Sequence, residues 1–238
     1  MHITRWFVLW CLMEISASRS VVRVIKASLC FSSVRYIYHQ NYKHGKAQDL
    51  VFKTLYFGFE LLLSLYLGGS QHTQYEPWMS SYYLLAIGYH AQSFLFEFTK
   101  MFEPKFFEMC LHHTVTLLLL LYSFYVPEIT PFGLTIMYYN NFGDFWMSAT
   151  RLAANQEARE VIIYPLYTIV LVSWLYTRLW KLQLLAWPGL VQGYVLGWVG
   201  LQILWGLNLY WFIILLKLGW RKISYHGKKQ WAEKSAYH

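Results

Sequence analysis

Charge is scarce in this sequence. Only 13% of its 238 residues are charged, where a soluble domain carries about 25%. That shortage excludes a water-clothed globule. An apolar content of 57%, 20% aromatic residues and a mean hydropathy of +0.30 make lipid the solvent for much of the chain. Cysteine is equally sparse: Cys11, Cys30 and Cys110 are odd in number, lie in apolar contexts and have no paired spacing, so no disulfide framework is implied. Domain-length linkers, low-complexity tracts and internal repeats are missing as well, which leaves one all-helical membrane domain. The net charge of +8 comes from 20 Lys and Arg set in short clusters between apolar runs. No nucleic-acid motif accompanies them, so no nucleic-acid partner is expected and the clusters read as cytoplasmic-face residues.

The apolar residues fall into six long segments, at 50–69, 78–98, 109–126, 131–150, 160–181 and 189–218, each long enough to cross a bilayer. Before them, residues 6–17 form a shorter apolar run interrupted by Glu14. Its positive charges mostly follow rather than precede it, against the pattern of a cleaved signal peptide. Arg19, Arg23 and Lys26 then recur at helical intervals, as in a basic amphipathic helix on an anionic leaflet or a solvated linker helix. The expected organisation is an N-terminal apolar and amphipathic segment over 1–45, a transmembrane domain over 46–222 and a basic tail over 223–238. Basic residues alternate between loops: Lys43 and Lys46, then Lys100 and Lys105, then Arg151 and Arg159, then the group from Lys217 to Lys229. The positive-inside rule places these loops and the C-terminus in the cytoplasm. Arg178 and Lys181 break the pattern, as interior or snorkelling residues.

Polar residues concentrate in the third and fourth segments. His112, His113 and Thr116 lie on the third, and Asn140, Asn141 and Asp144 on the fourth. Ionisable groups inside a membrane span are costly to insert and mark functional sites by default. At about 1.5 Å rise per residue, His112 and Asp144 lie about 8 and 9 Å in from the cytoplasmic loop ends, and Thr116 and Asn140 about 14 and 15 Å. His112 and Thr116 share a helix face, as do Asn140 and Asp144, so two polar stripes are expected to confront each other across antiparallel helices. A histidine near a carboxylate can serve as general base or as acyl-accepting nucleophile, with Asp144 fixing its tautomer. Hydrogen-bonded packing between helices is the plainer use of such a histidine. No metal is expected, because adjacent histidines on a helix diverge and no third ligand stands at suitable spacing.

The run His112-His113-Thr114-Val115-Thr116, then Gly133, then Asn140-Asn141-Phe142-Gly143-Asp144, resembles the core motif of the TLC-domain family, which includes the ceramide synthases. Lys53, Trp174, Thr177-Arg178 and Leu201-Gln202 extend the resemblance over about residues 50–222. The family pattern has His-Asp where this chain has Asn140-Asn141, and a histidine where it has Trp205. Asparagine keeps hydrogen-bonding capacity but does not titrate. The resemblance implies an all-α integral membrane protein, a bundle of six transmembrane helices enclosing a cavity, in the endoplasmic reticulum membrane. It further implies ceramide synthase-type acyl transfer from acyl-CoA, as co-substrate, to the amine of a sphingoid base in sphingolipid biosynthesis, with no bound cofactor.

His112, His113 and Asp144 are the catalytic candidates on this reading, and Thr116, Asn140, Asn141 and His90 the cavity candidates. Lys100, Lys105, Arg151 and Arg159 surround the cytoplasmic mouth, where they would attract the coenzyme A phosphates, though positive-inside residues need no such role. The partners are lipid substrates, and a homo- or heterodimer is compatible with the sequence. The Asn140-Asn141 pair favours a second reading: a non-enzymatic TLC-domain protein that binds or senses lipids or assists membrane-protein handling. An elongase-type His-x-x-His-His box would need histidine at position 109, which is Met109. Glu60 is a deep carboxylate without an evident partner, and Gly193, Gly197 and Gly200 suggest a close-packed helix pair.

Overall fold

The computed structural model describes residues 45–66, 77–98, 102, 104–156 and 158–235, and all regular structure among them is helical. The apolar run at 6–17 and the basic stretch after it lie outside the described residues. The helices are α1 (Gly45–Tyr66), α2 (Pro77–Glu97), α3 (Phe106–Tyr125), α4 (Thr130–Asn155), α5 (Glu160–Trp174), a π-helical turn (Leu175–Lys181), α6 (Leu182–Val191) and α7 (Val195–Ser235). Because α5, the π turn and α6 are continuous, they form six rods. Among the described residues, three stretches are long and apolar enough to cross a membrane: Phe106–Tyr125, Glu160–Pro188 and Val195–Lys222. Polar residues lower the apolar average of α1, which carries Lys53 and Glu60, and of α4, which carries Asn140, Asn141 and Asp144.

Turn chemistry accounts for the boundaries. Pro131 sits in the first turn of α4, where a missing N–H is harmless. The Thr130 hydroxyl donates back to the carbonyls of Ser123 (2.7 Å) and Val126 (3.2 Å), closing the short connection from α3. The sequence pattern suggests a loop between 181 and 189, but the chain stays helical there and reverses only at 192–194, where Gly193 adopts φ 86°. Glycine tolerates that left-handed conformation without the penalty a Cβ brings. Lys181, whose charge signalled a span end, is accommodated by the rings of Tyr139 and Tyr176, 5.8 and 5.6 Å from its Nζ.

Packing departs from simple hairpins. The α1 rod lies chiefly along α4, α2 along α3, and α3 also along α7, whereas α3 and α4 touch sparingly despite being consecutive. Their closest meeting is at the turn, where a Cβ on Gly133 would fall 2.0 Å from the Tyr83 hydroxyl and 2.8 Å from Ser123 Oγ. Only glycine lets α4 enter so near α2 and α3. Beside it, Met79, Tyr82, Tyr83, Ala86 and Ile87 of α2 pack with Leu120 of α3 and with Leu134 and Met137 of α4. Gly197 and Gly200 do form a close helix pair, since Cβ atoms there would meet Tyr122 at 3.3 Å and Leu119 at 2.9 Å across the α3–α7 seam. Gly193 belongs to the turn instead.

Candidate functional site

The polar residues of α3 and α4 do not confront each other as two facing stripes. A cavity of about 250 Å³ separates the helices, walled by Leu119, Leu120, Phe132, Ile136, Trp198 and Leu201 among others. Thr116 and Asn140 line it together, as their equal depth suggests, and it extends from them toward the 126–130 and 192–194 turns, away from the basic loops. His112, His113 and Asp144 lie beyond its Thr116–Asn140 end, toward the basic loops, and are not part of its lining. Glu128, Gln192 and Tyr194 stand at the opposite end.

On the α3 side, the three histidine rings form a chain. His90 of α2 lies 5.9 Å from His113, and His113 lies 5.3 Å from His112, centroid to centroid. His112 continues to the ring of Trp211 on α7, at 5.2 Å in an edge-on arrangement. The buried atoms His90 Nδ1, His112 Nδ1, Ser93 Oγ and Thr116 Oγ1 have no hydrogen-bond partner among the described residues. Buried polar atoms are nearly always paired in folded proteins, so a cluster of such atoms on α2 and α3 marks a place prepared for polar contact.

On the α4 side, the partners differ from those expected. Asp144 forms an ion pair with Arg178 of the π turn at 2.5 Å, so its carboxylate is committed to the guanidinium and not to Nδ1 of His112. Arg178 is an interior residue, not a snorkelling one. Its NH1 donates to Asn208 Oδ1 and its NH2 to the Asn140 carbonyl, each at 3.1 Å, and its guanidinium lies over the Trp174 ring at 4.6 Å. Trp174 in turn donates from Nε1 to the Asn208 carbonyl at 3.0 Å. The approach needs Gly143, where a Cβ would meet Arg178 Nε at 3.2 Å. A π-helical turn shifts the register of the rod, and here it sets Thr177 and Arg178 inward. Lys53 and Arg151 add to the basic field that Arg178 creates at Asp144.

Asn141 has its own partner. Its Nδ2 donates to Glu60 Oε2 at 2.5 Å and approaches the Tyr82 hydroxyl at 3.3 Å, while the Tyr56 hydroxyl donates to Glu60 Oε1. The amide at a position where the family pattern has a carboxylate therefore supplies the proton donor that the buried Glu60 requires. Asn140 contributes its carbonyl to Arg178 and lines the cavity. Trp205, where the pattern has histidine, donates to the Leu179 carbonyl at 3.1 Å and ties α7 to the π turn.

The remaining candidates are peripheral. Lys105, Arg151 and Arg159 are exposed at the basic end, and Lys100 lies outside the described residues. Groups of three or more His, Cys, Asp or Glu able to hold a metal are absent among the described residues. Sequence reasoning did not assign Glu108, Asn208 or Trp211. A carboxylate and an amide within apolar spans were the available signals, but neither names its partner.

Long apolar helices around an interior set of histidines, an ion pair and an apolar cavity define a helical membrane protein with a polar interior cluster. The TLC domain family matches residues 16–217, and the chain belongs to that family. It is also similar to sphingosine N-acyltransferase lac1 of Schizosaccharomyces pombe, 26% identical over 166 residues, covering 60% of this chain and 42% of that relative. The chain thus spans about two fifths of that relative's length. No solved structure matches.

Proposed function

We propose that the protein is an endoplasmic-reticulum N-acyltransferase of ceramide synthase type, transferring an acyl chain from acyl-CoA to the amine of a sphingoid base. Its six rods then all cross the bilayer, with the basic loops and the C-terminus in the cytoplasm. The observation that carries the reading is the position of His112, one helical turn from Thr116 at the polar end of an apolar cavity, with an unpartnered Nδ1. In this arrangement the hydrocarbon chain lies in the cavity and the thioester sits at its polar end beside Thr116 and Asn140. The coenzyme A phosphates remain at the basic end near Lys105, Arg151 and Arg159, drawn by their charge.

Chemically, the amine nitrogen bonds to the thioester carbonyl carbon, the carbon–sulfur bond breaks, and the amine proton passes by way of His112 to the departing sulfur. His112 can alternatively accept the acyl group first and pass it to the amine. Asp144 acts through Arg178 in either route, holding a cation beside the site. His113 and His90 extend the imidazole chain behind His112. The test is turnover by purified protein with acyl-CoA of several chain lengths and sphingoid bases, comparing wild type with His112→Ala. Turnover by wild type that is lost in the variant supports the reading, and absence of turnover at every chain length overturns it.

A second reading has its own support. Asn141 is consumed by Glu60 and Asp144 by Arg178, as in a protein whose polar core holds helices together. A non-enzymatic lipid-binding protein with this cavity would copurify with lipid yet form no acyl adduct on histidine and make no amide product. Mass spectrometry of the lipids formed on incubation with acyl-CoA and a sphingoid base separates the two.

A further inference from the structure

We propose that Glu108 and Trp211 are positioning residues for His112, a clamp between α3 and α7 that fixes the plane of the imidazole. This rests on the reading of His112 as the reacting group. An imidazole that transfers protons or acyl groups needs a fixed orientation, commonly supplied by a hydrogen bond to its second nitrogen. His112 lacks that hydrogen bond at Nδ1, and the carboxylate expected to provide it is paired with Arg178. Packing takes its place.

Glu108 lies in the first turn of α3, four residues before His112 and on the same face. Both of its oxygens are engaged by neighbouring residues of α7: Oε1 accepts from the Tyr210 hydroxyl at 3.0 Å, and Oε2 from Trp211 Nε1 at 3.2 Å. With both carboxyl oxygens engaged on α7, the hydrogen bond from Nε1 holds the indole. Its ring then meets the His112 ring at 5.2 Å and 71°, an edge-on geometry that aromatic pairs favour. At the other end of the same seam, Gly197 and Gly200 bring α7 against Tyr122 and Leu119, so α7 is pinned to α3 on both sides of the histidine.

The test is the rate at which diethyl pyrocarbonate modifies His112 in the full-length purified protein, read at that residue by mass spectrometry. Wild type is compared with Trp211→Ala, Trp211→Phe, Glu108→Ala and Glu108→Gln, with modification of His90 as the internal control for unfolding. Loss of one such hydrogen bond corresponds to a roughly two- to tenfold change in the population of released rings. The His112 rate should rise by that factor in Trp211→Ala and Glu108→Ala, and less in Trp211→Phe and Glu108→Gln, while the His90 rate stays constant. Unchanged His112 rates in both alanine variants overturn the clamp. Equal acceleration at His90 also overturns it, because the residues are then only structural. Acyl transfer is measured alongside: kcat should fall with the same ranking while KM changes little. Wild-type protein without turnover but with the ranked His112 rates refutes acyl transfer and leaves the clamp standing as a packing device. Turnover with unranked rates refutes the clamp alone.

Discussion

Separating Asp144 from Arg178 should be among the most damaging single changes available in this protein. The Arg178 side chain is 4% exposed and that of Asp144 30% exposed, and their closest atoms are 2.5 Å apart. Replacing Asp144 with Leu strands a guanidinium in an interior where only Asn208, the Asn140 carbonyl and the Trp174 ring remain to it. Breaking a buried pair by removing one partner costs about 3–5 kcal/mol. Arg178→Met strands the carboxylate instead, but water reaches a 30% exposed group, so the charge component should fall at the low end of that range. Removing both charges together leaves none stranded. The double variant Asp144→Leu with Arg178→Met should therefore be more stable than the sum of the single losses by roughly 2 kcal/mol, within the span seen for directly coupled residues. For a chain of this size each kcal/mol moves Tm by about 2–4 °C, so single variants should melt about 6–20 °C lower. Tryptophan-fluorescence melting of the four proteins in one detergent measures the cycle. Strict additivity would refute the ion pair as a coupled unit. Acyl transfer should be lost in all three variants, so recovery of Tm without recovery of turnover separates the stabilising role from the chemical one.

Other outcomes follow from the same contacts. Asn141→Asp sets two carboxylates against each other at Glu60 and should destabilise by about 2 kcal/mol or more, while adding Glu60→Gln restores an amide donor and most of the loss, as chemical unfolding can measure. Gly133→Ala drives a methyl group into the Tyr83 hydroxyl and should cost about 1–3 kcal/mol, with Tyr83→Phe relieving part of it in a melting experiment. Ile136→Trp reduces the cavity and should shift turnover toward shorter acyl-CoA without lowering Tm; an unchanged chain-length profile would place the acyl chain elsewhere. Gln183→Leu breaks both bonds of the reciprocal amide pair with Gln202 (2.8 and 3.2 Å) and should cost only about 1 kcal/mol, roughly twice the usual size of one interhelical hydrogen bond in a membrane.

Much of this is legible in the sequence. Apolar length marked out the helical rods to within a few residues at most ends, and the depth count aligned Thr116 with Asn140, which do line one cavity. The exceptions were the ends of the last two segments: a π turn with Lys181 over two rings and Pro188 within a helix looks, residue by residue, like a terminus, and α7 runs on to Ser235 through the basic residues expected to form a tail from 223. Glu60 and Arg178 stood out as misplaced charges, but a charge in an apolar run announces only that it has a partner. The partners, Asn141 and Asp144, lie 81 and 34 positions away in the chain.

The sequence by itself determined that this is a helical membrane chain of the TLC type, because composition, segment length and the His112–Asp144 spacing are local properties of the chain. Tertiary structure decided the pairings: Asp144 with Arg178, Asn141 with Glu60, and His112 with Trp211 in place of a carboxylate. The physical reason is that the cavity lies between α3 and α4, adjacent in sequence, and each turns its polar groups toward other helices: α3 toward α2 and α7, α4 toward α1 and the π turn. Local periodicity fixes which face a side chain occupies, and only the packing of the whole bundle fixes what that face meets.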